Sequence, residues 1–140
     1  MSMKNKNTKR GAASLEYLML VALFFIILLP FSYLVWQTVQ GHVQSSQAQV
    51  AVHTIVSAVD SVYAQGPGAK TTADIYLPTG VENASIYTKE ISLRVRLSNG
   101  VSTEIFELTS GNVTGTLPTR AGKHLLHVEM FENGTVAVGE

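Results

Sequence analysis

One carboxylate stands at the edge of a long charge-free run. Glu16 precedes residues 17–36, which hold no Lys, Arg, Asp or Glu, and the next acid is Asp60. A lone ionised carboxyl in low dielectric is costly unless it is paired, so Glu16 asks for a cationic partner. A weaker explanation is attraction to the N-terminal end of a helix dipole, about 0.3–1 kcal/mol. The histidines offer less. His42 and His53 fall on one helix face but three turns apart, and His124 and His127 would point to opposite faces of a strand. Neither pair suits a shared metal, and all four read as surface or interface residues. No phosphate loop, H-E-x-x-H or G-x-S-x-G motif occurs, and there is no cysteine. The chain therefore reads as a non-enzyme with no cofactor and no metal. Three N-x-S/T sequons, at Asn83, Asn112 and Asn133, use three of the four Asn beyond residue 68 and are candidate N-glycosylation sites in turns or loops.

The segments that must position these groups are of three kinds. Lys4, Lys6, Lys9 and Arg10 form a basic leader without any acid. Residues 17–36 follow, and thirteen of them are Leu, Ile, Val or Phe. As a helix this run is about 30 Å long, the thickness of a bilayer's hydrocarbon, and insertion is favoured by about 4–8 kcal/mol at most. The leader charge keeps that end cytoplasmic and places everything after Trp36 outside. A secretory signal would have a shorter apolar core and a small-residue cleavage site after it; here QTVQGHVQ follows instead. A plain signal anchor also fits the run but gives Glu16 no task.

Beyond Trp36 the composition turns to Gln, Ser, Ala and Val, and Val52, Ile55, Val56, Val59, Val62 and Tyr63 form an apolar stripe at helical spacing. The helix is expected from about Ser14 to Ala64, about 75 Å, with its stop at Gly66-Pro67-Gly68. Pro30 and Gly41 are soft points, readable as ordinary kinking or as a hinge.

Ser14, Glu16 and Tyr17, behind the basic leader Lys9-Arg10-Gly11 and opening an apolar helix, resemble the class III signal peptides of archaeal type IV pilin-like proteins. Ala12 stands where that pattern usually has Gln. The resemblance implies that a prepilin peptidase cuts between Gly11 and Ala12, before the apolar run. It also implies that the freed amine of Ala12 pairs with Glu16 of the same or the next subunit. A cytoplasmic assembly ATPase, a membrane platform, other copies of the chain and an adhesive surface filament come with the same resemblance.

Residues 69–140 read as short strands. Ile91, Leu93, Val95 and Leu97 alternate with Ser92, Arg94, Arg96 and Ser98. Asn99-Gly100 signals a two-residue hairpin that sets Leu93 opposite Phe106 and Ile91 opposite Leu108, leaving Glu104 awkwardly on the apolar side. Asn133-Gly134 signals a second hairpin. Arg94 and Arg96 are placed to reach Glu107 or a neighbouring subunit, or simply to be solvated.

The expected fold is α+β: a leader (1–11), a long helix (12–65) spanning the membrane at about 17–36, a linker (66–70) and a small β domain (71–140). That domain is one antiparallel sheet of five or six strands with one face on the helix stripe. Four of the ten Lys and Arg precede Ala12, so the rest carries six bases against ten acids, a balance of −4 that argues against nucleic acid. A cysteine-free body this small is marginal alone and gains from its helix and from neighbours. The function expected is a pilin: a membrane precursor with a cytoplasmic N-terminus, surrounded by lipid before assembly, then part of an extracellular filament. The alternative is a single-span exported binding module that does not polymerise.

Overall fold

The computed structural model describes residues 6–140, with side chains from Gly11 onward; Lys4 and the side chains of the leader charges Lys9 and Arg10 lie outside the described residues. The chain forms two compact units, Met1–Thr38 and Val39–Glu140, and one helix, α1 (Lys6–Gln65), contributes to both. The helix begins upstream of the expected Ser14. It ends at the predicted place, where Gly66 N donates back to Val62 O at 3.2 Å and Gly68 N turns away to Met130 O at 3.0 Å. The architecture is α+β.

In the second unit, seven strands follow α1: β1 (Lys70–Leu77), β2 (Val81–Tyr87), β3 (Glu90–Arg96), β4 (Ser102–Leu108), β5 (Asn112–Gly115), β6 (Gly122–Met130) and β7 (Thr135–Gly139). They make two sheets rather than the single sheet expected, ordered β1-β6-β7-β5 and β2-β3-β4. The first is mixed, because β5 runs parallel to β7. Alternation in a strand says which face is buried but not which strand lies beside it, so strand order was not readable from pattern alone.

Both sheets and the helix share one core. Val52, Ile55, Val56, Val59 and Val62 are buried, as predicted, together with Ile75 and Leu77 of β1, Ile91, Leu93 and Val95 of β3, Leu126 and Val128 of β6 and Val136 of β7. Each of these helix side chains contributes about 1.5–3 kcal/mol by leaving water. Tyr63, the last of the predicted stripe, is 41% exposed and lies against Gly111, where any side chain would strike its ring.

The β3–β4 register departs from expectation by one residue. Leu93 pairs with Ile105, Ile91 with Glu107, and Arg94 with Glu104. The loop has three residues, Ser98-Asn99-Gly100: Leu97 N donates to Val101 O at 2.8 Å and Gly100 N to Leu97 O at 2.9 Å. Gly100, at φ +83°, is the left-handed residue that closes such a loop. A one-residue slip sends every β4 side chain to the other face. Ile105 turns inward, and Phe106 and Leu108 turn out, 63% and 66% exposed. Glu104 is then external, within 3.2 Å of Arg94 Nη2. The β6–β7 turn is built alike, with Phe131 N on Thr135 O, Gly134 N on Phe131 O, and Gly134 at φ +82°.

Candidate assembly helix and the surface of the β domain

In the first unit, the described apolar side chains of α1 are largely exposed. Leu15, Tyr17, Leu18, Leu20, Phe24, Ile26, Leu29 and Trp36 are each at least 59% exposed. The helix is long and apolar enough to cross a membrane. Such a surface is stable only against lipid or other helices. Among the described side chains its polar groups are few. Thr38 satisfies its hydroxyl internally, donating to Leu34 O at 3.1 Å. Pro30 lies inside the helix and has no N–H to give the Ile26 carbonyl, yet the helix runs on without a break.

Gly11, Ala12, Ser14, Glu16 and Tyr17 all lie in α1, exposed. Because the helix extends upstream of them, Glu16 is far beyond its first turn, and the helix-dipole explanation does not reach it in the intact chain. Ala12 and Glu16 are four residues apart, one above the other on a helix face, with Cβ atoms about 5–6 Å apart. An amine freed at Ala12 would therefore start within reach of the Glu16 carboxylate.

In the second unit, Gly41 is buried, and a Cβ built there meets no atom within 4 Å. The three sequon asparagines are exposed, but only Asn133 is in a turn. Asn112 opens β5, beside Thr135 of β7, and Asn83 sits in β2 at a register shift opposite Arg94. The loop placement expected for Asn83 and Asn112 is thus corrected: short polar strands at sheet edges look like loops in sequence. Asn133 Oδ1 accepts from Thr135 N at 3.0 Å. Asn83 Nδ2 donates to Ser85 Oγ at 3.1 Å on the surface.

The charged side chains pair differently from the expectation. Arg94 meets Glu104 and Arg96 meets Glu82 at 3.0 Å, while Glu107 turns to His53 Nδ1 at 3.0 Å. These pairs are open to solvent and each is worth well under about 1 kcal/mol. His124 is half-buried. Its side chain is 11% exposed, with Nδ1 at 2.7 Å from Glu140 Oε1 and Nε2 at 2.8 Å from Arg120 O. The Glu140 carboxylate and then the Arg120 carbonyl hold the imidazole above its ordinary value of 6.5, against the opposing effect of burial. His127 faces the other way, as predicted, and is exposed. Among the described residues no three His, Asp or Glu side chains converge as metal ligands would.

No family model, characterised protein or solved structure matches this chain. The functional reading rests on its own residues.

Gln44 was not visible in the sequence as anything but a polar helix residue. Its Oε1 accepts from both Ser98 N and Ser98 Oγ at 3.0 Å, and its Nε2 donates to Thr79 Oγ1 at 3.1 Å. One side chain thereby ties the β1–β2 and β3–β4 turns to the helix. Asp60 does the same further along, accepting from Ser110 N at 2.9 Å. Nothing in the sequence sets Gln44 apart from the other Gln residues of the helix, whereas Asp60 is the one acid in α1 besides Glu16.

Proposed function

We propose that the chain is a structural subunit of an archaeal type IV pilus-like surface filament. The observation that carries this reading is the uncovered apolar surface of α1 in the first unit, joined to a domain whose core is already filled. The domain's core draws on α1 only from Ala48 onward, so the helix upstream serves lipid first and neighbouring copies afterwards. A prepilin peptidase cuts between Gly11 and Ala12 and removes Lys9, Arg10 and the rest of the leader. The new amine of Ala12 and the carboxylate of Glu16 neutralise one another, within a subunit or between neighbours, as the helix leaves lipid for a bundle. Ser14 and Tyr17 belong to the same opening motif. Extraction from lipid opposes the insertion energy, so an ATPase and a membrane platform drive it. Pro30 and Gly41 supply the places where the helix adjusts. The β domain coats the filament outside the cell and adheres to surfaces there, with sugars at Asn83, Asn112 and Asn133. The role is structural and not catalytic.

Sheared surface filaments from cells carrying the wild-type chain or Glu16→Ala test this. The wild-type chain is expected in the filaments. The variant is expected to be cut after Gly11 but to accumulate in the membrane fraction. A wild-type chain confined to the membrane fraction would contradict polymerisation and favour an anchored exported binding module. A variant that assembles normally would remove the pairing role of Glu16.

A further inference from the structure

His124 lies in β6 with both ring nitrogens against acceptors. Nδ1 faces Glu140 Oε1 at 2.7 Å and Nε2 faces the Arg120 carbonyl at 2.8 Å. A carboxylate and a carbonyl donate nothing, and a neutral imidazole has one N–H, so only the doubly protonated ring satisfies both contacts. These contacts join two parts of the domain. Arg120 belongs to the connector between β5 and β6, which passes the end of β7, where Thr116 N donates to Val138 O at 3.1 Å and Leu117 packs on the core. Glu140 follows β7 directly.

We propose that His124 is a proton-operated clasp that holds the β5–β6 connector against the end of β7 and releases it when the ring loses a proton. The charged groups around the ring are few. Glu140, after β7, favours the cation, and the Arg120 side chain, in the connector, opposes it. From β1 the cross-strand partner is apolar Ile75, and its neighbour Asp74 is engaged with Lys123 Nζ at 2.7 Å. His127 of β6 points away on the other face.

When the ring becomes neutral it keeps one proton, and the anionic carboxylate is the stronger acceptor for it. The Arg120 carbonyl then faces a lone pair, and the connector is the part that opens. The folded-state ring titrates above 6.5. Its contribution is therefore complete below the unfolded value and is lost as pH rises through the folded one. Acid closes the clasp and alkali opens it.

Arg120 is itself exposed and offers a readout. The full chain in detergent micelles is digested with trypsin across the His124 titration, which is followed by NMR of the imidazole nitrogens. Cleavage after Arg120 is expressed relative to a free peptide of residues 115–125 at each pH. The relative rate is expected to rise about ten-fold as the ring titrates, the loss of one charge-assisted hydrogen bond. His124→Gln, which never charges, is expected to be cut at the fast rate at every pH. Glu140→Gln is expected to move both the titration and the onset of cleavage to lower pH. A relative rate that stays flat through the titration would overturn the proposal. So would an imidazole that titrates at or below 6.5.

Discussion

Replacing Gln44 with Ala tests how the helix holds its β domain. The native side chain makes three short hydrogen bonds, two from Ser98 and one to Thr79 Oγ1, and a longer one to Thr79 O at 3.4 Å. Neutral hydrogen bonds of this kind are each worth about 0.5–1.5 kcal/mol net. The gross loss is about 2–3 kcal/mol. Three effects reduce it. Freeing a Gln side chain returns about 1–2 kcal/mol of rotamer entropy. Water reaches the abandoned Ser98 and Thr79 groups, so no buried polar atom is stranded. Ala is also slightly the better helix former. The net expectation is a loss of about 1 kcal/mol, or about 4–8 °C in the melting temperature of a domain this size. Circular dichroism melting of the full chain in micelles reads the shift. Gln44→Glu sharpens the test, since a carboxylate keeps the Ser98 contacts and accepts from the Thr79 hydroxyl, losing only the long contact to Thr79 O. Its expected shift is smaller than that of Gln44→Ala. An unchanged melting temperature in Gln44→Ala, with the Ser98 and Thr79 amides no faster in hydrogen exchange, would refute the argument.

The other predictions concern packing and flexibility. Val59→Ala removes a fully buried side chain from the shared core and should cost about 2–3 kcal/mol in chemical denaturation, from lost burial plus the cavity left behind. Phe106→Ser should change stability by no more than about 0.5 kcal/mol while Ile105→Ser costs several times that, because the three-residue turn points Phe106 outward; the reverse order would restore the two-residue register. Gly41→Ala meets no atom within 4 Å and should stabilise the helix by about 1 kcal/mol in thermal melts. If Gly41 is a point of adjustment during assembly, the same variant gives fewer filaments in a shearing assay; equal yields would end that role.

The sequence was most legible where one pattern had one outcome. The alternation of Ile91, Leu93 and Val95 marked the core face, and those three are at most 2% exposed, although Ser92 on the opposite face is buried as well. The helix stripe and its stop at Gly66 were legible for the same reason. Legibility failed where residues supported two outcomes. Asn-Gly fits both a two-residue turn and the end of a three-residue loop, and β4 carries Ile105 on one face but Phe106 and Leu108 on the other, so its pattern did not choose a register. β5 is only four residues long and pairs in parallel with residues 23 positions later, a contact no local signal announces. His124 shares parity with Leu126 and Val128, which placed it on the inner face in principle, but the partners that keep it there, Glu140 and Arg120 O, come from segments without regular structure. Glu16 stands out in the sequence as a lone acid beside an apolar run, and the structure adds its exposed place on α1, four residues from Ala12.

The N-terminus of the mature chain is the most direct test of the central claim. Intact-mass and peptide mass spectrometry of the protein recovered from cell surfaces should find a chain beginning at Ala12, with the leader gone and the apolar helix retained. The same spectra report sugar at Asn83, Asn112 and Asn133. A surface protein that still begins at Met1 or Met3, or one that has lost residues 17–36, would contradict the account.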